Sequence, residues 1–264
     1  MEAGRRTSTL SWRQPDLYPL ELNEILPDHV QGGSIEFKAE VGEGRYYCKR
    51  DKTGKPVRAT EWIATSLASH VGIAVPDFAP IYNPFADEIL FGSKESWGTA
   101  DMFETQTFLM TGIVDKAVGD PYPWVSPYLS RLFVYDMFVA NDDRQTSNFL
   151  LVKDGAAKRL FAFDFASANL RDWSTCNFPV ASSQTMSVGR VLRSVRPFDR
   201  ASANEMLDWL EGVAPTTIER IMAGMPDEWM TAGERENVSD QWMSGAVRTR
   251  LHALRSGIND GSLL

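Results

Sequence analysis

Cysteine is nearly absent from this chain of 264 residues: Cys48 and Cys176 are the only two. That scarcity excludes a disulfide framework and fits a reducing compartment, the cytoplasm. Histidine is almost as rare, and His29, His70 and His252 lack the spacing of zinc ligands. No apolar run approaches the roughly 20 residues that cross a bilayer, and no signal-peptide core is visible, so no membrane partner is expected. Positive charge is in deficit. A formal net charge of −8 argues against broad binding to nucleic-acid phosphates. Neither Gly-x-Ser-x-Gly nor Gly-x-x-x-x-Gly-Lys-Ser/Thr occurs, which removes the common hydrolase and P-loop sites. Internal repeats and low-complexity segments are missing too. What remains, with 43% hydrophobic residues, is enough to bury a sizeable core in one domain or two lobes.

The chemistry concentrates in Asn141-Asp142-Asp143-Arg144-Gln145-Thr146-Ser147-Asn148, followed shortly by Phe161-Ala162-Phe163-Asp164-Phe165. Between them, Phe149-Leu150-Leu151-Val152 and Leu160-Phe161-Ala162-Phe163 flank the turn residues Lys153-Asp154-Gly155, the pattern of an antiparallel hairpin. Asn148 precedes the first strand and Asp164 ends the second. Such positions lie side by side at about 5 Å, so an amide oxygen and a carboxylate reach one hard cation from the same edge. Mg²⁺ suits such a pair, because one or two carboxylates plus substrate phosphates usually hold it. Asp143, in the loop ahead of the ladder, is free to accept a proton from an incoming hydroxyl or to orient it. Taken singly, each of these residues reads as ordinary turn chemistry. Together they read as phosphoryl transfer from Mg·ATP. Spacing selects Asp143 over Asp142, since Asp143 to Asn148 is the five-residue separation of the kinase catalytic loop. Arg144 either holds Asp143 ionised, pairs with Asp142, or is a solvated loop arginine.

The upstream half supplies the remaining parts. Ile35, Phe37, Ala39 and Val41 alternate with charged residues as a half-buried strand, Gly42-Glu43-Gly44 turns, and residues 45–50 return with Lys49 near the end. Gly32, Gly33 and Ser34 precede the hairpin, where backbone N–H groups could fold over phosphates. Residues 60–71 read as a helix with Ile63, Leu67 and Val71 on one face, Glu61 off that face and Gly72 as the stop. A strand lysine that clamps the α- and β-phosphates, aimed by a helix glutamate, is the kinase arrangement, and Lys49 and Glu61 fit it. Residues 88–91 and 107–114 read as further strands around a polar loop at 92–106, which puts an adenine-binding hinge near residues 110–115. Residues 124–140 read as a buried helix that delivers the chain to Asn141. Later apolar spacings, Met206/Leu210/Val213, Ile218/Ile221/Met222 and Met243/Val247/Leu251/Leu254, read as a helical subdomain. The division expected is a mobile arm at 1–20, an N-lobe at 21–116 and a C-lobe at 117–264.

The order Gly-Gly-Ser34, strand Lys49, Glu61-Trp-Ile-Ala, Val71-Gly-Ile-Ala-Val-Pro76, Asn-Asp-Asp-Arg-x-x-x-Asn148 and Phe-Asp164-Phe-Ala resembles the HipA-like kinase family, particularly its short single-domain members. The resemblance covers roughly residues 30–230 and includes the Met-Pro-Asp-Glu-Trp229 ending. It implies an α+β, two-lobed kinase-like fold, with a small β-rich N-lobe carrying one helix and a larger helical C-lobe. It also implies ATP, Mg²⁺ and phosphorylation of serine or threonine on a protein, carried by Lys49, Glu61, Asp143, Asn148 and Asp164. A toxin role with an antitoxin or other regulatory partner is suggested by the resemblance alone. So is autophosphorylation of Ser34, which would place about two negative charges where the ATP phosphates bind.

The chain departs from eukaryotic protein kinases in several places. No His-Arg precedes Asp143, Gln145 stands where a lysine follows the catalytic aspartate, Phe165-Ala166 replaces Phe-Gly, and no Ala-Pro-Glu is evident. The catalytic and metal motifs are closer to those of phosphatidylinositol kinases. A lipid or small-molecule kinase and a non-catalytic nucleotide-binding scaffold are therefore the alternatives.

Overall fold

A computed structural model of the chain describes residues 18–27, 35–111, 122–155, 157–170 and 181–264. The first half builds a six-stranded sheet from β1 (Leu20–Glu21), β2 (Glu24–Leu26), β3 (Phe37–Val41), β4 (Gly44–Lys49), β5 (Phe78–Asn83) and β6 (Glu88–Lys94). Its order is β1-β5-β6-β4-β3-β2, antiparallel except where β1 runs parallel to β5. The β3–β4 turn closes with Val41 opposite Gly44, and Gly42 takes φ +56°, the left-handed backbone that a tight hairpin requires. Helix α1 (Val57–His70) lies between β4 and β5 in the chain. It starts earlier than its apolar spacing predicts, so Glu61 sits beyond the first turn.

The expected strand at 107–114 is not formed. Met102–Met110 is helix α2, because Asp101 caps it, its Oδ1 accepting from the Glu104 N–H at 2.7 Å. Asp101-x-x-Glu104 is a start signal strong enough to override the β-prone Thr107-Phe108. The loop expected at 92–106 shrinks accordingly, since β6 runs on to Lys94, and the chain leaves the sheet through residues 95–101. The hinge expected at 110–115 rested on that strand, and residues 112–115 lie outside the described residues.

The second half is helical: α3 (Val125–Phe138), α4 (Gln184–Val195), α5 (Arg200–Glu211), α6 (Pro215–Ala223), α7 (Ala232–Met243) and α8 (Gly245–Asp260). Inserted after α3 is the hairpin of β7 (Phe149–Asp154) and β8 (Ala157–Ala162). Met243, expected on an apolar face, ends α7 and is exposed. One large apolar cluster joins α1 and Phe91 of the sheet to the helices and the hairpin, while a smaller one lies within the sheet around Ala39, Cys48 and Ile81. Trp62 ties the halves together. Its Nε1–H donates to the Ile221 carbonyl at 2.8 Å, and its ring meets Phe78 and Trp229 edge-on. Arg58, one turn earlier, pairs with Asp51 and Glu228 and donates to the Ile89 carbonyl. These contacts fix α1, and with it Glu61, against the helical half. Among the described residues no helix is long and apolar enough to cross a membrane.

Candidate active site

Between sheet and helices lies a cleft of about 1030 Å³, ample for a nucleotide. Lys49, Glu61, Asp143, Asn148 and Asp164 all line it. Each arrives on a different element. Lys49 ends β4 and pairs with Glu61, which α1 presents, and also with Asp164 Oδ1 at 2.7 Å. Lys49 and Glu61 are buried to 3% and 1% side-chain exposure, whereas Asp164 retains 24% and faces the cleft. Glu61 is therefore a buried ion-pair partner rather than a solvated first-turn glutamate.

Burial pulls the Lys49 pKa down, but the charges of Glu61 and Asp164 outweigh it and leave it raised. Burial raises Glu61, and Asp164 adds to that against the opposing charge of Lys49. Lys49, set between two carboxylates, therefore stays a cation. Cys48, next to Lys49, is not a nucleophile here: burial, then the charge of Glu88, pushes its thiol up to about 12.

The hairpin brings the two metal candidates together, as its register requires. Phe149 pairs with Ala162, the Phe163 N–H donates to the Asn148 carbonyl at 3.2 Å, and Asn148 Nδ2 stands 3.4 Å from Asp164 Oδ2. Asp164 leaves the strand at φ +60°, a left-handed conformation rarely adopted outside glycine, which turns its carboxylate off the ladder. Asn148 closes the short 3₁₀ turn Thr146–Asn148, its Oδ1 accepting from the Gln145 N–H at 2.7 Å. That oxygen keeps a second lone pair. Among the described residues no three His, Cys, Asp or Glu side chains converge on one point. The donor set of one carboxylate and one amide oxygen nevertheless suits Mg²⁺, whose shell is usually completed by substrate phosphates and water.

Asp143 lines the cleft and Asp142 does not. Gln145 Nε2 donates to Asp143 Oδ1 at 2.9 Å, so the residue standing where a lysine was expected orients the carboxylate instead. Arg144 is neither solvated nor paired with Asp142 or Asp143. It is buried and forms a two-pronged pair with Asp136 on α3, Nε to Oδ2 and Nη2 to Oδ1, both at 2.9 Å. Its Nη1 donates to the Phe163 and Asn148 carbonyls, and the guanidinium lies 4.5 Å from the centre of the Phe165 ring. Asn141 donates to Asp136 Oδ1 at 2.8 Å, and the Thr185 hydroxyl joins the Asn141 carbonyl to the Arg144 N–H. Sequence reasoning missed Asp136 and Thr185, and it quoted Asn141 in the catalytic stretch without giving it a role. The available signal was Asp136 itself, a lone carboxylate inside an apolar helix, which burial obliges to find a partner. Gly32, Gly33 and Ser34, the proposed phosphate loop, lie outside the described residues.

A family model described as HipA-like kinase matches residues 22–257. No functionally curated protein matches the chain. Among solved structures, the Helicobacter pylori proinflammatory kinase CtkA aligns with a TM-score of 0.58 at 13% identity, covering 89% of this chain and 99% of that one. At that identity it shows a shared fold. WaaP, in a complex with acyl carrier protein, aligns over 90% of this chain and 89% of that one at 14% identity, with a TM-score of 0.38.

Proposed function

We infer that this chain, which belongs to the HipA-like kinase family and is a phosphotransferase, transfers the γ-phosphoryl group of ATP to a serine or threonine hydroxyl of a protein. The observation that carries the reading is Lys49 held between Glu61 and Asp164 on one wall of the cleft that Asp143 also lines. In this reading Lys49, aimed by Glu61, engages the α- and β-phosphates. The adenine lies toward the 95–101 crossover, where Phe91 and Met102 give the cleft an apolar lining. Asn148 and Asp164 hold Mg²⁺, which neutralises charge on the β- and γ-phosphates when bound. Asp143, oriented by Gln145, accepts the proton of the acceptor hydroxyl. Arg144 is fully engaged with Asp136, and it braces the loop rather than touching phosphate.

Ser34 is proposed as a self-phosphorylation site that would block the phosphate end of the cleft; mass spectrometry after incubation with ATP tests it, and an unmodified Ser34 removes it. The acceptor is a cytoplasmic protein, with an antitoxin or other regulatory partner proposed from the family alone. Incubating the protein with γ-labelled ATP and a cell extract tests the acceptor class. Label on a protein hydroxyl, absent with Asp164→Ala, is the result expected. Label found only in a lipid or small molecule would reassign the acceptor, and ATP binding without turnover would reduce the protein to a scaffold.

A further inference from the structure

The helical half contains a second, smaller cavity, of about 40 Å³, bounded by α3, α4 and the catalytic segment. At roughly 10–15 Å³ per water, it has room for about three waters or the four to five heavy atoms of a small organic acid. Its lining is mostly apolar, with Leu129, Leu132, Leu192 and Phe198 among the side chains. Two polar groups stand out against that lining. Both terminal nitrogens of Arg193 and the hydroxyl of Ser126 are buried without a hydrogen-bond partner, and both residues line the cavity.

The guanidinium of Arg193 is placed there by construction. It rests 4.9 Å from the centre of the Phe133 ring. It also folds back on Gly189, one turn earlier in α4, where an added Cβ would stand 2.9 Å from Nη1 and 2.8 Å from Phe133 Cε2. Only glycine leaves space for it. Asp136, the carboxylate on the cavity wall, is already taken by Arg144 and Asn141 and does not neutralise Arg193. Burial and the nearby charge of Arg190 lower the Arg193 pKa, as expected of a cation without a counter-ion. Buried guanidinium groups are ordinarily paired, and a buried donor without a partner calls for an explanation.

We propose that this cavity is a binding site for a small monocarboxylate of acetate or propionate size, held by the Arg193 fork and the Ser126 hydroxyl. The donor count selects the ligand class. A guanidinium fork matches the two oxygens of a carboxylate, and the hydroxyl supplies one further bond. A phosphate dianion would set two negative charges and four oxygens against a mostly apolar lining that already carries the Asp136 carboxylate. The short alkyl end of the acid meets the apolar lining. Because Asp136, Arg144 and Thr185 form the adjoining wall, an occupied site stiffens the catalytic loop at 141–148.

Thermal unfolding at constant ionic strength tests the site, with sodium propionate against sodium chloride and sodium phosphate. Propionate raises the midpoint by about 3 °C at ten times its dissociation constant, and chloride and phosphate do not. Arg193→Met, which keeps the apolar stem over Phe133, abolishes the shift. Ser126→Ala, a gentler change that retains the cation, weakens binding by about tenfold. Amide exchange across 141–148 slows in propionate. No propionate shift in the wild-type protein, a shift that persists undiminished in Arg193→Met, or a phosphate shift as large as that of propionate would each overturn the site. Binding that leaves exchange at 141–148 unchanged would overturn its coupling to the loop.

Discussion

The Asp136–Arg144 pair and the Lys49–Glu61–Asp164 group are both buried in the same centre, yet one is closed and the other open. Arg144 spends its donors on one carboxylate and two carbonyls, and its face is covered by Phe165. Charge is balanced one to one. Lys49, by contrast, serves two carboxylates, and the outer one, Asp164, still faces the cleft. That group carries a surplus negative charge and an exposed oxygen edge. A closed network fixes geometry at no further requirement, whereas an open one is completed by what binds, here the cation and phosphates of a nucleotide. Position and reactivity are thus assigned to different ion networks within one centre, although their members are far apart in the chain.

The sharpest break in this comparison is at Asp143, which belongs to neither network. Asp143→Asn removes the proton acceptor while Gln145 still has an oxygen to hold. Turnover should fall by about 10²–10⁴-fold, with the unfolding midpoint unchanged. Steady-state phosphoryl transfer and a melting curve on the same preparation check both halves, and a loss of stability would mean that Asp143 is a loop support.

Arg144→Met should strike stability as well as turnover. Removing one partner of a buried pair strands Asp136 as an uncompensated charge, at about 3–5 kcal/mol. Denaturant unfolding should show that loss, and the double variant Arg144→Met/Asp136→Leu should recover a large part of it. Recovery of stability without recovery of turnover is the outcome expected, because the brace has been replaced but the loop is no longer aimed. If Arg144→Met leaves stability intact, the closed network is not a support.

The groups that line the cleft were legible in the sequence, and the closed network behind them was not. Lys49, Glu61, Asp143, Asn148 and Asp164 announce themselves because each sits at a boundary: the end of a strand, a helix face, a turn, two ends of a hairpin. Periodicity finds such boundaries. Asp136 and Thr185 sit inside regular helices, 49 residues apart in the numbering, and only packing brings them to Arg144. Strand β5 was missed for a related reason. Pro80 lies within it, and a proline reads as a break although Pro80 pairs with Phe91 in the sheet. Helix α2 went the other way, its Asp101 cap being weaker to the eye than a β-prone run that burial of Phe108 and Leu109 turned to helical use.

Glu61→Gln is the smallest expected change and the one that tests whether the open group really holds surplus charge. Gln keeps the volume, and Lys49 keeps Asp164. Turnover should fall by about tenfold, equivalent to about 1.4 kcal/mol, because Lys49 is aimed less firmly. Stability should move with pH in a direction set by Glu61. Its folded-state pKa is raised above 4.5 by burial and by Asp164, so the folded protein binds that proton more tightly than the unfolded chain. Its contribution is complete below pH 4.5 and is lost as pH rises through the folded value. Lys49 stays protonated in both states across that window and cancels. The midpoint of Glu61→Gln minus that of the wild type should therefore increase from acid toward neutral pH. A balanced salt bridge would do the opposite: it would depress the Glu61 pKa, and the wild type would gain on the variant as pH rises. Melting curves of the two proteins over that range decide between a centre that awaits a cation and one already complete.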